Sequence, residues 1–157
     1  MGLIKVESTE LSRVQAMYRR AFKPLYEKYH DRLTNPYLES LSDLHAKYRQ
    51  PNSRFYYYQV DHQTVGFLRL VFDASQQIAR ISPLLVLPQF QGQHYAQRML
   101  CSVESAYPGV RQWQVDTIAE ETKLVHLYQK LGYRQVSNRC DEVQPGMHLI
   151  YFVKEIK

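Results

Sequence analysis

Cysteine, tryptophan and long apolar segments are scarce in this sequence of 157 residues. It contains two cysteines, Cys101 and Cys140, and one tryptophan. Two cysteines provide neither a disulfide framework nor the spacing of a zinc site. No apolar run has the length of a secretory signal or a membrane-spanning helix. These absences predict a cytoplasmic protein that binds no metal and no membrane.

The length and composition are those of an ordinary globular protein. A chain of 157 residues can bury a core of its own, and 45% of its residues are hydrophobic while 22% are charged. We therefore expect a single domain over residues 1–157. The net charge of +5 raises nucleic-acid binding as an alternative. Because the basic residues are scattered rather than clustered, we expect no nucleic-acid partner.

The pattern of apolar and turn-forming residues predicts the element order β α α β β β α β α β β. The first helix is capped by Ser8 or Thr9 and ended by Pro24, residues 26–34 form an irregular connection, and Asn35-Pro36 starts the second helix. The remaining elements are a third helix from Tyr95 to about Ala106, a fourth from Glu120 or Glu121 to Leu131, a polar loop over 138–146, and strands over 3–6, 54–60, 64–71, 78–87, 113–117, 133–137 and 147–153. This order predicts an α/β (α+β) fold, with a mixed sheet and helices on both faces.

The segment from Leu84 to Leu100 is the most informative part of the chain. An apolar run ends at Pro88, passes through a short polar stretch with Gly92, and continues as a helix. Free backbone N–H groups and the helix dipole favour an anion at such a helix start, and the local chemistry predicts a phosphate. Pro83 lies inside the preceding strand and predicts a bulge that splays this strand from its neighbour.

Two segments resemble motifs of the GNAT superfamily of acetyl-CoA-dependent N-acetyltransferases. Gln91-Gly92-Gln93-His94-Tyr95-Ala96 resembles the family's pyrophosphate loop, in which Arg or Gln is followed by two residues, usually Gly, one more residue, and Gly or Ala. Leu127-Tyr128-Gln129-Lys130-Leu131-Gly132-Tyr133 resembles the family's LYxKLGF signature. The resemblance implies acetyl-CoA as cosubstrate. It also implies a GNAT-like, mostly antiparallel central sheet with helices on both faces and a bulged, splayed strand pair at the CoA site.

The resemblance implies that the main chain binds most of the cofactor. N–H groups from about Gln93 to Gln97 would bind the pyrophosphate, after a turn started by Gln91 and Gly92. The pantetheine arm would pair with the bulged strand, and a hydroxyl early in the fourth helix would add a polar contact. The expected cofactor-binding residues are Leu85, Val86, Leu87, Gln91, Gly92, Gln93, His94, Tyr95, Ala96, Gln97 and Thr122.

The sequence departs from the family pattern at two places. His94 stands where the family most often has glycine, at a position that needs close backbone approach to phosphate or a permissive φ angle. A histidine there either adds a ring N–H to a phosphate oxygen or weakens cofactor binding; we expect binding to be retained because the other positions fit. The asparagine often found early in the second motif is missing, near Thr122. The alternative function is therefore a catalytically weak or inactive CoA-binding regulatory or interaction domain.

Tyr128 is the expected general acid, on the strength of the resemblance. A phenol with a pKa of roughly 10 stays protonated at neutral pH and can donate to the CoA thiolate that a primary amine expels by direct attack in a ternary complex. The general base is open: Glu120 is the first candidate, Asp116 a second, and Ser82 can order a water. Cys101 lies within a predicted helix, and we expect a small buried core residue rather than a nucleophile.

The acceptor pocket of this family lies between the link of the first two helices, the early hairpin and the late loop. Aromatic faces in these segments can hold a cation or an apolar ring, and we expect Tyr26, Tyr29 and Tyr57 to contribute. Strand alternation sends only half of residues 55–58 to one side, so sheet packing is an equal alternative for them. The expected partner is a small-molecule or peptide amine, and a homodimer is a further expectation.

Overall fold

The computed structural model describes residues 2–156; both ends of the predicted domain, Met1 and Lys157, lie outside this range. Seven strands form one sheet: β1 Gly2–Lys5, β2 Ser53–Val60, β3 Gln63–Phe72, β4 Ile78–Val86, β5 Gln112–Ile118, β6 Arg134–Gln144 and β7 Met147–Glu155. Their order across the sheet is β1-β2-β3-β4-β5-β7-β6. Strands β4 and β5 are parallel, and every other neighbouring pair is antiparallel.

Four α-helices within the described residues cover the two faces of the sheet: α1 Leu11–Tyr29, α2 Leu41–Arg49, α3 Tyr95–Ala106 and α4 Thr122–Lys130. On the α3/α4 face, the two later helices pack on a core that includes Trp113 and Phe152. On the α1/α2 face, the two earlier helices pack on Phe55, Phe67 and Leu85. The predicted fold class, a mostly antiparallel sheet with helices on both faces, is confirmed.

Helix α1 does not end at Pro24, as the sequence predicted, but continues to Tyr29. Proline removes one helical N–H donor, yet the rings beyond it still find partners, since Tyr26 stacks on Tyr37 with a centroid distance of 4.8 Å. The helix stops at His30, whose φ of 53° is left-handed and whose N–H donates to the carbonyl of Tyr26. The prediction of an irregular connection is therefore wrong for residues 26–29.

Both early helices begin later than predicted. Residues 8–10 form a 3-10 turn, in which the N–H of Glu7 donates to the Glu10 carboxylate at 3.0 Å, so neither Ser8 nor Thr9 caps α1. A second 3-10 turn, Pro36–Leu38, follows Asn35. Helix α2 is capped instead by the Ser40 hydroxyl, which accepts the N–H of Asp43 at 3.0 Å.

The polar segment predicted as a loop is mostly strand, because β6 extends to Gln144. Its pairing with β7 is interrupted after Gln135 and resumes at Cys140, and Asn138 has a left-handed φ of 62°. Since β6 is an edge strand with mostly exposed side chains, it lacks the apolar alternation from which strands are predicted.

Strands β4 and β5 form a fork. They pair only from Ile78 to Arg80 and from Gln112 to Gln114, and they separate beyond these residues. On the other side of β4, Ile81 pairs with Leu70 and Leu84 with Leu68, so Ser82 and Pro83, joined by a cis peptide, both stand opposite Arg69. The bulge and the splayed strand pair are thus present where Pro83 predicted them.

Helix α3 packs very closely on the strands beside the fork. A Cβ placed on Gly66 of β3 would lie 2.5 Å from the carbonyl oxygen of Leu85 and 2.8 Å from the sulfur of Met99. Only glycine leaves room for this approach. The close spacing of β3 and β4 therefore depends on Gly66, and Met99 of α3 packs directly on this position.

Candidate functional site

The turn between β4 and α3 presents the start of a helix to open space. A 3-10 turn, Pro88–Phe90, is followed by Gly92 with a φ of 79° and by His94 with a φ of 65°. Tyr95, Ala96 and Gln97 form the first turn of α3, and Gln93 precedes its N-cap. The first N–H groups of a helix have no intrahelical acceptor, so this turn can bind an anion.

His94 is the N-cap of α3 and adopts a left-handed conformation, with φ 65° and ψ 19°. This conformation costs a residue with a Cβ about 1–2 kcal/mol, whereas glycine adopts it freely. Of the two requirements considered for this position, the structure displays the permissive φ. The His94 side chain makes no capping hydrogen bond to the helix.

Side chains on both sides fasten this turn to its surroundings. The Gln91 amide donates to the carbonyl of Val86 at 3.0 Å, so the first residue of the motif is bound to the end of β4. From α1, the Arg20 guanidinium donates to the Gln89 side chain at 2.7 Å. The turn is therefore held from the strand and from α1 at the same time.

The main chain of β4 faces the fork only at alternate residues. The N–H of Leu87 donates to the carbonyl of Val65 at 2.8 Å, so it is not available to a ligand. Successive residues of an antiparallel strand point their N–H groups to opposite sides. The N–H of Leu85 therefore also points to β3, whereas the N–H groups of Leu84 and Val86 point to the fork. The expectation that all of residues 85–87 offer main-chain groups is corrected: Val86 alone among them does so.

Tyr128 lies on α4, buried between Tyr133 and Phe152 at ring distances of 5.7 and 5.8 Å. Burial raises the pKa of its hydroxyl, and the negative charge of Asp116 on β5 raises it further. The hydroxyl makes no hydrogen bond to any residue in the range 2–156. It is a protonated donor without a partner, beside a strand that borders the fork.

The Glu120 carboxylate, the first candidate base, is bound by a histidine that sequence reasoning missed. Its two oxygens lie 2.8 Å from the backbone N of His148 and 2.7 Å from Nδ1 of the same residue. Nε2 of His148 lies 3.5 Å from the carboxylate of Glu142. The hydrogen bond between His148 and Glu120 lowers the pKa of Glu120 and raises that of His148. The pairing of β5 with β7 creates this cluster, and no local motif announces it.

Two of the three expected acceptor tyrosines lie near the end of α1. The Tyr29 hydroxyl donates to the Glu121 carboxylate at 2.6 Å, and Lys28 donates to it at 2.7 Å. Burial alone would raise the pKa of Glu121, but these two hydrogen bonds lower it overall. The Gln144 amide donates to the carbonyl of Tyr29 and joins the end of β6 to α1. Tyr26, one turn before Tyr29 on α1, stacks on the ring of Tyr37.

Tyr57 does not line an acceptor pocket. It belongs to the core between β2 and α1, where the Arg13 guanidinium lies 4.6 Å from its ring centroid. Burial raises the pKa of Tyr57 to about 12. Its position matches the alternative of sheet packing, and the expectation of an acceptor contact is wrong.

Two further residues are exposed. Thr122 is the first residue of α4, and its hydroxyl makes no hydrogen bond within residues 2–156. Cys101 was expected in the core, but it lies on the outer side of α3. Met99, Leu100 and Val103 occupy the buried side of that helix.

Asp116, the second candidate base, is half-buried and paired with Arg80 at 3.3 Å across the fork. Because Arg80 is the last residue of β4 to pair with β5, this ion pair marks the point where the strands separate. The sequence spacing of 36 residues gives no local indication of the contact.

Two other kinds of feature are absent from residues 2–156. No helix there is long and apolar enough to cross a membrane. In the same range, no three or more His, Cys, Asp or Glu side chains come together as they would around a metal ion.

Comparisons with known proteins point to one family. The model of the acetyltransferase (GNAT) domain matches residues 51–135, more than half of the chain. The PaiA N-acetyltransferase of Thermoplasma acidophilum, solved in complex with coenzyme A, is 16% identical over 98% of both chains, with a TM-score of 0.76. The spermidine N-acetyltransferase of Vibrio cholerae, in complex with CoA and spermine, is 14% identical over 98% of this chain and 94% of its own, with a TM-score of 0.77.

An acetyltransferase of Thermus thermophilus is 19% identical over 99% of this chain and 98% of its own, with a TM-score of 0.74. At such identities these structures show a common fold. No curated protein matches the sequence significantly.

Proposed function

Because the chain belongs to the GNAT acetyltransferase family, we propose that it transfers the acetyl group of acetyl-CoA to a primary amine by direct attack in a ternary complex. The observation that carries this proposal is the fork between β4 and β5, whose β4 branch leads into the start of α3. The fork offers a slot for the thioester arm, and the helix start offers a site for the pyrophosphate.

Main-chain groups would hold the cofactor. The N–H groups of residues 93–97 would bind the pyrophosphate, and the N–H of Val86, which faces the fork, would bond to the pantetheine arm or to the thioester carbonyl. A fixed N–H donor beside that carbonyl stabilises the oxyanion formed when the amine attacks. The bond between Gln91 and the carbonyl of Val86 supports this arrangement because it holds the end of β4 against the turn.

The chemistry requires one proton to leave the amine and one to reach the sulfur. The amine nitrogen forms a bond to the acetyl carbon, the carbon–sulfur bond breaks, and Tyr128 donates its proton to the CoA thiolate. The raised pKa of Tyr128 supports this role because the hydroxyl stays protonated until the thiolate leaves.

The pair of Glu120 and His148 is our proposed acceptor of the amine proton. Neutral His148 takes the proton, directly or through water, and the carboxylates of Glu120 and Glu142 stabilise the imidazolium that results. Glu120, the original candidate, thus acts as the partner that raises the basicity of the imidazole.

The experiment that tests this function is a thiol-release assay with acetyl-CoA and a panel of amines, combined with calorimetric titration of CoA. Tyr128→Phe should lower kcat by about 10²-fold or more, because general acid catalysis contributes that much, and should leave CoA affinity unchanged. Tyr133→Phe is the matched control, since its buried hydroxyl lacks a hydrogen-bond partner and lies in the same motif. Unaltered turnover by Tyr128→Phe would remove this residue as the acid.

A catalytically weak or inactive CoA-binding regulatory or interaction domain is the second candidate. The strained conformation of His94 at the phosphate turn favours it. CoA binding without acetyl transfer to any amine would support this alternative.

We further propose a domain organisation, an acceptor class and a compartment for this protein. Residues 1–157 would form a single domain, which the participation of both β1 and β7 in one sheet supports. The acceptor would be a small-molecule or peptide amine, without nucleic acid as a partner. Two cysteines without a disulfide suit a reducing compartment such as the cytoplasm.

A further inference from the structure

The α1/α2 face of the sheet continues beyond the core that these helices cover. The strand residues of that core come from β2, β3 and β4. On the same face beyond the fork, β5 presents the polar side chains of Gln112, Gln114 and Asp116, whereas β7 presents mostly apolar side chains, of which Met147 and Val153 are buried. This part of the face borders the fork on the side opposite to Tyr128 and α4.

Charged side chains line up on this face at the level where the strands separate. Asp116 follows Val115, which belongs to the core of the α3/α4 face, so the carboxylate points to the α1/α2 face, where Arg80 reaches it at 3.3 Å. Tyr151 pairs with Asp116 on β7, and the Arg139 guanidinium lies 3.7 Å from the centroid of its ring.

Arg69 completes this group from β3. It lies two residues after Phe67, on the α1/α2 face, and its guanidinium donates to the carbonyl of Ser82 in the bulge at 3.3 Å. Its other hydrogen bonds go to the hydroxyl of Ser53 at 3.1 Å and the amide oxygen of Gln50 at 3.2 Å. All three partners are neutral, and Arg69 forms no ion pair with any residue in the range 2–156.

The local charge is positive at the point where the strands separate. Arg69, Arg80 and Arg139 oppose two carboxylates, those of Asp116 and Asp141. Asp141 already accepts a hydrogen bond from the hydroxyl of the neighbouring tyrosine on β7. One positive charge therefore exceeds the negative charges of this group.

Arg69 is the least solvated of the three arginines in this group. Partial burial lowers the pKa of its guanidinium, and the charge of Arg80 adds to this effect, whereas Tyr18 and the more distant carboxylate of Glu39 oppose it. Glu39 is itself paired with Lys47. A partly desolvated guanidinium without a carboxylate in direct contact favours an anionic ligand group.

We propose, building on the acetyl transfer proposed above, that the acceptor is an α-amino acid or another small amine with a carboxylate on the adjoining carbon. Arg69 and Arg80 would bind the carboxylate, and Asp116 would bind the ammonium group before it loses its proton. The ion pair of Arg80 and Asp116 presents both charges 3.3 Å apart, which suits a ligand whose own opposite charges are separated by one carbon atom.

This placement is compatible with the reaction if water carries the amine proton to His148, which lies three residues before Tyr151, the partner of Asp116 on β7. The amine nitrogen at Asp116 would stand beside the fork, where it forms a bond to the acetyl carbon as the bond to sulfur breaks. A polyamine would instead bring further positive charge next to three arginines, and like charges at such distances repel one another.

The experiment compares acceptors that differ only in the carboxylate. Wild-type protein is assayed for thiol release with a panel of L-amino acids, with their C-terminal amides, and with spermidine. We expect kcat/KM for at least one amino acid to exceed that for its amide, and that for spermidine, by about tenfold or more, as one charge-assisted contact allows.

Substitutions of the arginines test whether they cause the preference for a carboxylate. Arg80→Gln and Arg69→Gln should each reduce the preference for the carboxylate at least about tenfold, while CoA affinity stays unchanged. Arg134→Gln is the control, because Arg134 also forms an exposed ion pair at 3.2 Å, with Glu155. If Arg69→Gln does not fold, Arg69→Lys and Arg80→Gln, at a half-exposed position, test the carboxylate preference instead.

Each outcome has one interpretation. Amides or spermidine accepted as well as amino acids, or a preference unaltered in Arg80→Gln, would overturn the assignment of the acceptor and leave acetyl transfer intact. Binding of acetyl-CoA without transfer to any amine would overturn it too and favour the regulatory domain. Failure to bind acetyl-CoA at all would instead refute the proposed function.

Discussion

His94 holds a backbone conformation that glycine adopts without strain, at the turn that we propose binds the pyrophosphate of the cofactor. Its φ of 65° explains why the motif that this segment resembles usually has glycine there. The motif position was therefore readable from the sequence, and the departure pointed to a real strain. What the sequence did not tell is that the histidine side chain makes no cap for the helix.

Replacing His94 with glycine should relieve this strain. We expect His94→Gly to raise the free energy of unfolding in urea by about 1 kcal/mol, and CoA affinity measured by calorimetry not to fall. Gln93→Gly is the control; its φ is not in the left-handed region, so it should destabilise slightly. Weaker CoA binding by His94→Gly would show instead that the imidazole contributes a hydrogen bond to the phosphate.

The pair of Glu120 and His148 predicts the pH dependence of transfer. The hydrogen bond that His148 donates to Glu120 raises the pKa of His148 above its ordinary value, and only the neutral imidazole accepts a proton, so kcat/KM should rise with pH through that raised pKa. Glu120→Gln removes the stabilising charge and should move this limb of the profile to lower pH.

The control for the pH profile is His126→Gln, since His126 is an exposed histidine of α4. It should leave the limb in place, whereas His148→Gln should abolish it and lower kcat/KM by about 10²-fold. An unchanged limb in His148→Gln would assign the proton to another group, with Asp116 the next candidate.

Among the secondary-structure elements, the two prolines Pro83 and Pro24 affected their elements differently. Pro83 predicted a bulge because a strand next to a splayed partner can spare one N–H, and the bulge is there. Pro24 predicted a helix end, yet α1 continues because the tyrosines beyond it still pack. The start of β6 was predicted, but its continuation to Gln144 was predicted as a loop, because an edge strand exposes most of its side chains and so has no apolar alternation.

Close packing between β3 and β4 makes Gly66 sensitive to an added methyl group. Gly66→Ala would place a Cβ 2.5 Å from the carbonyl oxygen of Leu85, so the backbones of β3 and β4 must separate. We expect a loss of about 2 kcal/mol in the free energy of unfolding and weaker CoA binding, because β4 leads into the phosphate turn. Gly109→Ala is the control, since a Cβ there meets nothing within 4 Å. Equal stability of the two variants would contradict this account of the packing at Gly66.

At the scale of the whole molecule, the site combines local and distant parts, and only the local parts were predictable. The proposed phosphate turn and Tyr128 each lie within one continuous segment, so spacing along the chain was enough to predict them. His148 contacts Glu120 from another strand, and Arg69 and Arg80 come close enough for their charges to interact only because β3 and β4 are neighbours in the sheet. Such contacts depend on the pairing of β5 with β7 and of β3 with β4, which local periodicity does not determine.

The fork also predicts how the whole molecule responds to its cofactor. Strands β4 and β5 share only three paired positions each, so a ligand between them supplies contacts that the sheet lacks. Saturating acetyl-CoA, at about 100 times its Kd, should stabilise the fold by about 2.7 kcal/mol. Amide hydrogen exchange should slow in residues 81–86 and 93–97 and change little in β1 and β2.

Inorganic pyrophosphate distinguishes protection at the start of α3 from protection in the fork. It should protect residues 93–97 alone, because it can occupy the start of α3 but cannot reach into the fork. Protection spread evenly over the sheet by acetyl-CoA, or protection of residues 81–86 by pyrophosphate, would mean that the cofactor does not lie between the strands. Tyr128→Phe should give the same exchange pattern as the wild type, because in the proposed mechanism Tyr128 acts on the leaving thiolate and does not hold the bound arm.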